Sequence, residues 1–184
     1  MSAKTDNSSY QTTIIIGASK VKQVLWYFAN VLFFLNPLNP FSRLKVFLLR
    51  LYGAKIGKGV VVKPGVNIKF PWKLIIGDYV WIGEKVWIDN LDGIEIKSNA
   101  CLSQGAFLLC GSHNYKKSSF DLIVGEIVIE EGVWIGANAI VTGGLTCASH
   151  SVLTANSVAT SNLDACGIYQ GNPAVKIRER VIND

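Results

Sequence analysis

Apolar residues recur every sixth position from Ile56 onward: Ile56, Val62 and Ile68, then, after two extra residues, Ile76, Ile82 and Ile88, and after two more, Ile96, Leu102 and Leu108. The rhythm breaks across LLCGSHNYKKSSFDLIVGE, residues 108–126, and resumes at Ile129, Ile135, Val141, Cys147, Leu153 and Ala159. Three residues after each apolar position stands most often Gly or Asn: Gly59, Gly65, Asn99, Gly105, Gly111, Gly132, Asn138, Gly144, Asn156 and Asn162. These two residues tolerate positive φ best, so the pattern predicts a left-handed corner every six residues. The position after the corner is small or β-branched, as at Val60, Val66, Val80, Val86, Ala100, Ala106, Val133, Ala139, Ser151 and Ser157.

A short strand, a corner and another strand every six residues make a chain that turns three times in eighteen residues and stacks on itself. The expected architecture is all-β, a triangular parallel β-helix of about five coils with the sixfold apolar positions buried in a continuous column. A sandwich would space its strands by roughly 8 to 12 residues and has no reason to hold phase over such a length. The two-residue skips, Leu74 with Ile75 and Ile94 with Glu95, follow every third hexad and are expected as bulges at one edge.

Before the repeat, Val21, Val24, Leu25, Phe28, Val31, Leu32 and Leu35 recur at helical spacing, and Pro37 and Pro40 end that helix. A second helix is expected after Ser42, with Leu44, Phe47, Leu48 and Leu51 among Arg43, Lys45 and Arg50. Such a basic amphipathic surface suits an anionic membrane, a cap over the first coil, or a neighbouring subunit. The chain is thus expected to divide into an N-terminal extension (1–52), a β-helix (53–165) with a loop at 114–128, and a C-terminal tail (166–184) that runs back along the coils.

Composition adds limits. The net charge of +5 favours anionic partners, but no basic run interleaves with aromatics, which argues against nucleic acid. Cysteines at 101, 110, 147 and 166 form no CxxC, so reduced thiols and a cytoplasmic setting are expected. The opening residues show no secretion signal, and the apolar run 24–35 is shorter than the roughly 20 residues of a spanning helix.

The break in rhythm carries the candidate chemistry. His113 ends the ninth hexad at a corner, where a rigid stack would hold its imidazole for proton abstraction from a hydroxyl at neutral pH. A surface corner histidine is the alternative. His150 stands where Gly or Asn is customary and is expected to be structural. Two histidines and no Cys/His cluster argue against a metal site. Cys110, three residues before His113, is a weaker nucleophile candidate.

These hexads, with GSHNY and its following loop, EEGVWIGANAIV and GNPAVKIRER, resemble the hexapeptide-repeat acyltransferases, among them galactoside and maltose acetyltransferases. PWKLIIGDYVWIGEKVWIDNL, GSHNYKKSSFDLI and LYGAKIGKGV look most like the acetyltransferases of colanic-acid and related exopolysaccharide biosynthesis. The resemblance covers roughly residues 22 to 181. It implies a left-handed β-helix, a homotrimer with active sites between adjacent prisms, and acetyl-CoA as donor. A sugar or glycan hydroxyl is then the acceptor, and His113 is the base for direct attack on the thioester. It places the CoA-contacting positions at Trp134, Ala137, Ala155, Thr160, Ser161 and Arg178. Asn90, one coil earlier, is a candidate acceptor contact or else a stacked corner residue. Relatives commonly read Ser-His-Asp where this chain has Asn114, which supplies no negative charge. Asp121 or a backbone carbonyl is then expected to orient the imidazole, so Asn114 and Asp121 join the candidate acceptor-side residues. An amino-sugar N-acyltransferase and a non-catalytic scaffold on the same helix are the competing readings.

Overall fold

The computed structural model describes residues 4–12 and 14–183. Met1–Ala3 and Thr13, within the expected N-terminal extension, and Asp184, in the expected tail, lie outside the described residues.

Short strands build a three-sided, left-handed prism. Face A holds Lys55–Ile56, Leu74–Ile76, Ile94–Ile96, Ile127–Ile129 and Thr146–Cys147. Face B holds Val61–Val62, Trp81–Ile82, Cys101–Leu102, Trp134–Ile135, Val152–Leu153 and Gly167–Gly171. Face C holds Asn67–Ile68, Trp87–Asp89, Phe107–Leu109, Ile140–Thr142 and Val158–Ala159. All of these pair in parallel, rung on rung, so that Ile88, Leu108 and Val141 stack in register. Apart from half-buried Ile56, every sixfold apolar position is at most 2% exposed. Burial of each such side chain contributes roughly 1.5 to 3 kcal/mol.

The corners follow the hexad rule and extend it. Positive φ occurs at Gly59, Gly65, Asn99, Gly105, Gly132, Asn138, Gly144 and Asn156, and also at Tyr79, Lys85 and His150, which take the same corner despite their Cβ atoms. Gly111 and Asn162 do not: at Gly111 the chain leaves the coil for a hairpin, whereas Asn162 stays on the coil, its side chain accepting from the Thr146 amide before Leu163 pairs with Cys147. The small residues after the corners are all buried, Ser151 and Ser157 included.

Three expectations need correction. Leu74 and Ile94 do not bulge: they lengthen the strands of face A and pair in register, Leu74 with Ile94 and Ile94 with Ile127, adding a second buried column. The excursion at 114–128 is a β-hairpin, Gly111–His113 antiparallel to Leu122–Val124, and the coil resumes at Ile127, two residues before the hexad count does. The tail does not begin at 166: Gly167–Gly171 supplies a sixth parallel rung to face B, and only then does Ala174–Glu179 fold back antiparallel upon it.

Helix α1, Lys20–Ala29, is capped by Ser19, whose hydroxyl accepts from the Lys22 amide. It continues as one wide helical turn, Asn30–Phe34, ahead of Pro37. Helix α2, Ser42–Leu51, ends at Gly53, whose φ of 101° lets the chain reverse while the Ala54 amide bonds the Leu49 carbonyl. The two helices close the first coil. Trp26, Phe34 and Leu49 join its core, the Trp26 indole N–H donates to the Ile68 carbonyl, and the Ser42 hydroxyl accepts from Val62. The helical repeats nevertheless split differently from the sequence pattern. Lys45 is fully buried, its Nζ donating to the Asn39 carbonyl at 2.8 Å, while the stripe from Val21 to Leu35 faces outward. Among the described residues no helix is long and apolar enough to cross a membrane.

Candidate active site

The hairpin leaves the prism at the edge between faces C and A, directly after Phe107–Leu109. His113 ends its first arm, opposite Leu122. Two contacts from Phe120 fix the half-buried imidazole. The rings stack at 4.4 Å with 7° between their planes, and Nδ1 lies 2.9 Å from the Phe120 carbonyl oxygen. Because a carbonyl oxygen only accepts, the proton sits on Nδ1 and the lone pair is left on Nε2. Phe120 holds this geometry at a φ of 51°, a conformation bulky residues rarely take. A backbone carbonyl, and not a carboxylate, therefore orients the ring.

Asn114 and Asp121 act on the hairpin itself. The Asn114 side chain accepts from the Lys116 amide, and its own amide donates to the Asp121 carbonyl, which closes the hairpin tip. The Asp121 carboxylate accepts from the Gln11 amide at 3.3 Å and pairs with Lys117 at 3.4 Å. The Ser119 hydroxyl, with smaller help from Gln11 and Lys117, holds its carboxyl below the usual range. Residues 4–12 thereby cross the hairpin, with the Asp6 amide on the Ser118 carbonyl and the Tyr10 ring 6.1 Å from that of His113. Beside them, Ile14, Ile15, Lys73, Leu91, Asp92 and the arm Leu122–Val124 line a cleft of about 440 Å³. Tyr10, Phe120 and this strap carry no periodic signal and were not found from the sequence.

Asn90 lies on the same edge, one coil before the hairpin, but it is fully buried and its amide brackets the Phe70 backbone, accepting from N–H and donating to C=O. It takes the stacked-corner role. Cys110 is also interior, and burial pushes its thiol up to about 12, which keeps it protonated at neutral pH. Iodoacetamide at neutral pH is expected to leave Cys110 and the equally interior Cys147 unmodified in the folded protein, as peptide mass mapping would show. Fast labelling of Cys110 would reopen it as a nucleophile.

The six remaining positions fall on two edges, on face B and on an outer strand. Thr160 and Ser161, both exposed, follow Val158–Ala159 at the C/A edge, two rungs beyond the hairpin root or about 10 Å along the axis. Ala137 and Ala155 stack one coil apart at the B/C edge, where the Asn156 amide bonds the Ala137 carbonyl. Trp134, half-exposed on face B, donates its indole N–H to the Ser103 hydroxyl. Arg178 is exposed on the outermost strand, opposite Ile168. One chain does not bring the two edges together. Among the described residues no group of three His, Cys, Asp or Glu side chains assembles as a metal site would require.

A left-handed prism interrupted by a histidine-bearing hairpin defines the class of hexapeptide-repeat acetyltransferases, and comparison with known proteins narrows it. No family model matches the sequence. A protein of Escherichia coli (strain K12) assigned to colanic acid biosynthesis, the acetyltransferase WcaF, is 39% identical over 165 residues, covering 90% of this chain and 91% of its own. The chain belongs to this WcaF family of acetyltransferases. Among solved structures, a hexapeptide-repeat acetyltransferase of Vibrio cholerae superposes with a TM-score of 0.79 at 23% identity, over 89% of this chain and 94% of that one. Galactoside acetyltransferase in complex with coenzyme A gives a TM-score of 0.76 at 21% identity, over 86% and 80%. Both share the fold.

Proposed function

We propose that the protein moves an acetyl group from acetyl-CoA to a hydroxyl of a sugar in a glycan or exopolysaccharide precursor, as a cytoplasmic homotrimer. The observation that carries this reading is the imidazole of His113, locked by the Phe120 carbonyl with its lone pair on Nε2. The solved neighbours lend support, since the Vibrio protein has also been seen with acetyl-CoA and the galactoside enzyme with CoA.

The division of candidate residues between two edges favours an assembly. Two prisms side by side can set the C/A edge of one, with His113, Thr160 and Ser161, against the B/C edge of the other, with Ala137 and Ala155 and with Trp134 on the adjoining face B. Small side chains stacked one coil apart leave a groove for a pantetheine arm, and exposed Arg178 suits a CoA phosphate. The acceptor then enters beside Tyr10 and the cleft under the N-terminal strap. Nε2 takes the hydroxyl proton as the oxygen attacks the thioester carbonyl, giving a tetrahedral oxyanion that hydrogen-bond donors must stabilise. Collapse breaks the C–S bond, the proton passes from Nε2 to the CoA sulfur, and an O-acetyl ester leaves.

Incubation with acetyl-CoA and a panel of saccharides tests the reading. Thiol release with an alkali-labile acetyl product is expected. An alkali-stable amide would assign N-acylation to an amino sugar, and no binding of CoA at all would leave a scaffold.

A further inference from the structure

The N-terminal helices present a second apolar stripe that the prism does not use. On α1 and the turn after it, Trp26, Ala29, Asn30 and Phe34 face the coil, while Val21, Val24, Leu25, Phe28 and Leu32 on the opposite side are 54 to 69% exposed. The connecting loop adds Leu38 at 86% and Phe41 at 68%, and α2 adds Phe47 at 60% and Leu51 at 67%. So many large apolar side chains exposed on two short helices and their connection exceed the scattered singles of an ordinary surface.

The charge setting of this apolar crest says what covers it. From Asn7 to Gly77 the sequence holds no Asp or Glu, against ten Lys and Arg. Lys20, Arg43, Arg50, Lys55 and Lys58 are exposed and in no ion pair among the described residues. An apolar ridge flanked by cations that have no acidic partner among the described residues, Arg50 bonding only the Ile56 and Gly57 carbonyls, matches a bilayer with anionic headgroups, where acyl chains receive the ridge and phosphates the cations. A second copy of the chain fits less well. The α1 stripe lies on the side of that helix turned away from the prism end that it plugs, whereas prisms packed flank to flank meet on their faces and edges. We infer that this crest is a membrane-docking surface that seats the protein on an anionic lipid bilayer, apolar side chains inserted and basic ones at the headgroups. Where the proposed homotrimer holds, three crests at one end of the assembly engage a single surface together, multiplying a weak individual affinity. A lipid-linked acceptor would then be presented to the cleft from the membrane itself.

The full-length protein is sedimented with vesicles of equal phosphatidylcholine and phosphatidylglycerol, or of phosphatidylcholine alone, at low and high salt. Binding is expected to the anionic vesicles only and to weaken with salt. Lys20→Gln with Arg43→Gln, and separately Leu25→Gln with Phe28→Gln, should each weaken it by about tenfold or more. Both double variants should keep the parent's circular dichroism, sedimentation coefficient and turnover of a water-soluble saccharide. Three results would overturn the inference: no co-sedimentation at low salt, equal binding to neutral vesicles, or a smaller assembly in the Leu25/Phe28 variant, which would make the crest a subunit contact. Because vesicle binding is read without acetyl-CoA, failure of the transferase reading leaves this outcome independent, and the reverse holds.

Discussion

Replacement of His113 by alanine should lower acetyl transfer by about 10² to 10⁴-fold, the usual range for loss of a positioned general base. His113→Gln should fall nearly as far, since glutamine can reach the Phe120 carbonyl but has no basic nitrogen. The side chain is half-buried on a hairpin outside the coil column, so neither variant should shift the melting temperature much, and the KM for acetyl-CoA should stay near that of the parent. Steady-state thiol release against donor concentration checks both points. Equal turnover in parent and variants would remove the base from the mechanism.

The largest loss of stability is expected from Leu108→Ala. Leu108 is fully buried, stacked between Ile88 below and Val141 above, and its strand feeds directly into the hairpin. The neighbours are pinned rung to rung by backbone hydrogen bonds and cannot collapse into the space. The cost should therefore lie in the upper part of the range for such truncations, about 3 to 5 kcal/mol. For a chain of this size that lowers the melting point by roughly 10 °C. Thermal unfolding followed by circular dichroism measures it. A shift of only a degree or two would mean that the column repacks, contrary to the rigid stacking described above.

Much of the fold was legible because the hexad ties three signals to one period: a buried side chain, a corner and a small residue after it. Even edge assignment follows by counting, since Ala137 and Ala155, eighteen residues apart, must share a corner. Tyr79, Lys85 and His150 show where the corner rule is permissive, because stacking with adjacent coils holds them at positive φ without Gly or Asn. The skips were misjudged because a two-residue insertion looks the same in sequence whether it bulges or lengthens a strand. Only the burial of Leu74, Ile94 and Ile127 shows the latter.

Of the candidate site, the sequence offers the histidine but not what orients it. The hairpin could have been suspected from LIV after FD, but the orienting role of the Phe120 carbonyl belongs to the backbone, and no side-chain pattern announces it. Asn90 shows the opposite failure. Its amide is chemically suited to a sugar, yet it turns inward to bracket Phe70, a direction that corner position does not specify. On the helices, period alone cannot say which face meets the prism: the Val21 to Leu35 stripe, for which membrane, cap and subunit contact all stood open, faces outward, and Lys45, read as part of a basic surface, is buried.

A stack of parallel rungs could in principle continue without limit, each terminal strand templating the next molecule. Here the helical plug closes one end, and at the other Ala174–Glu179 doubles back across face B with Lys176, Arg178 and Glu179 on the outermost strand. A reversed, charged border cannot seed another parallel rung, so end-to-end polymerisation into fibrils is blocked while the flanks stay free for lateral assembly.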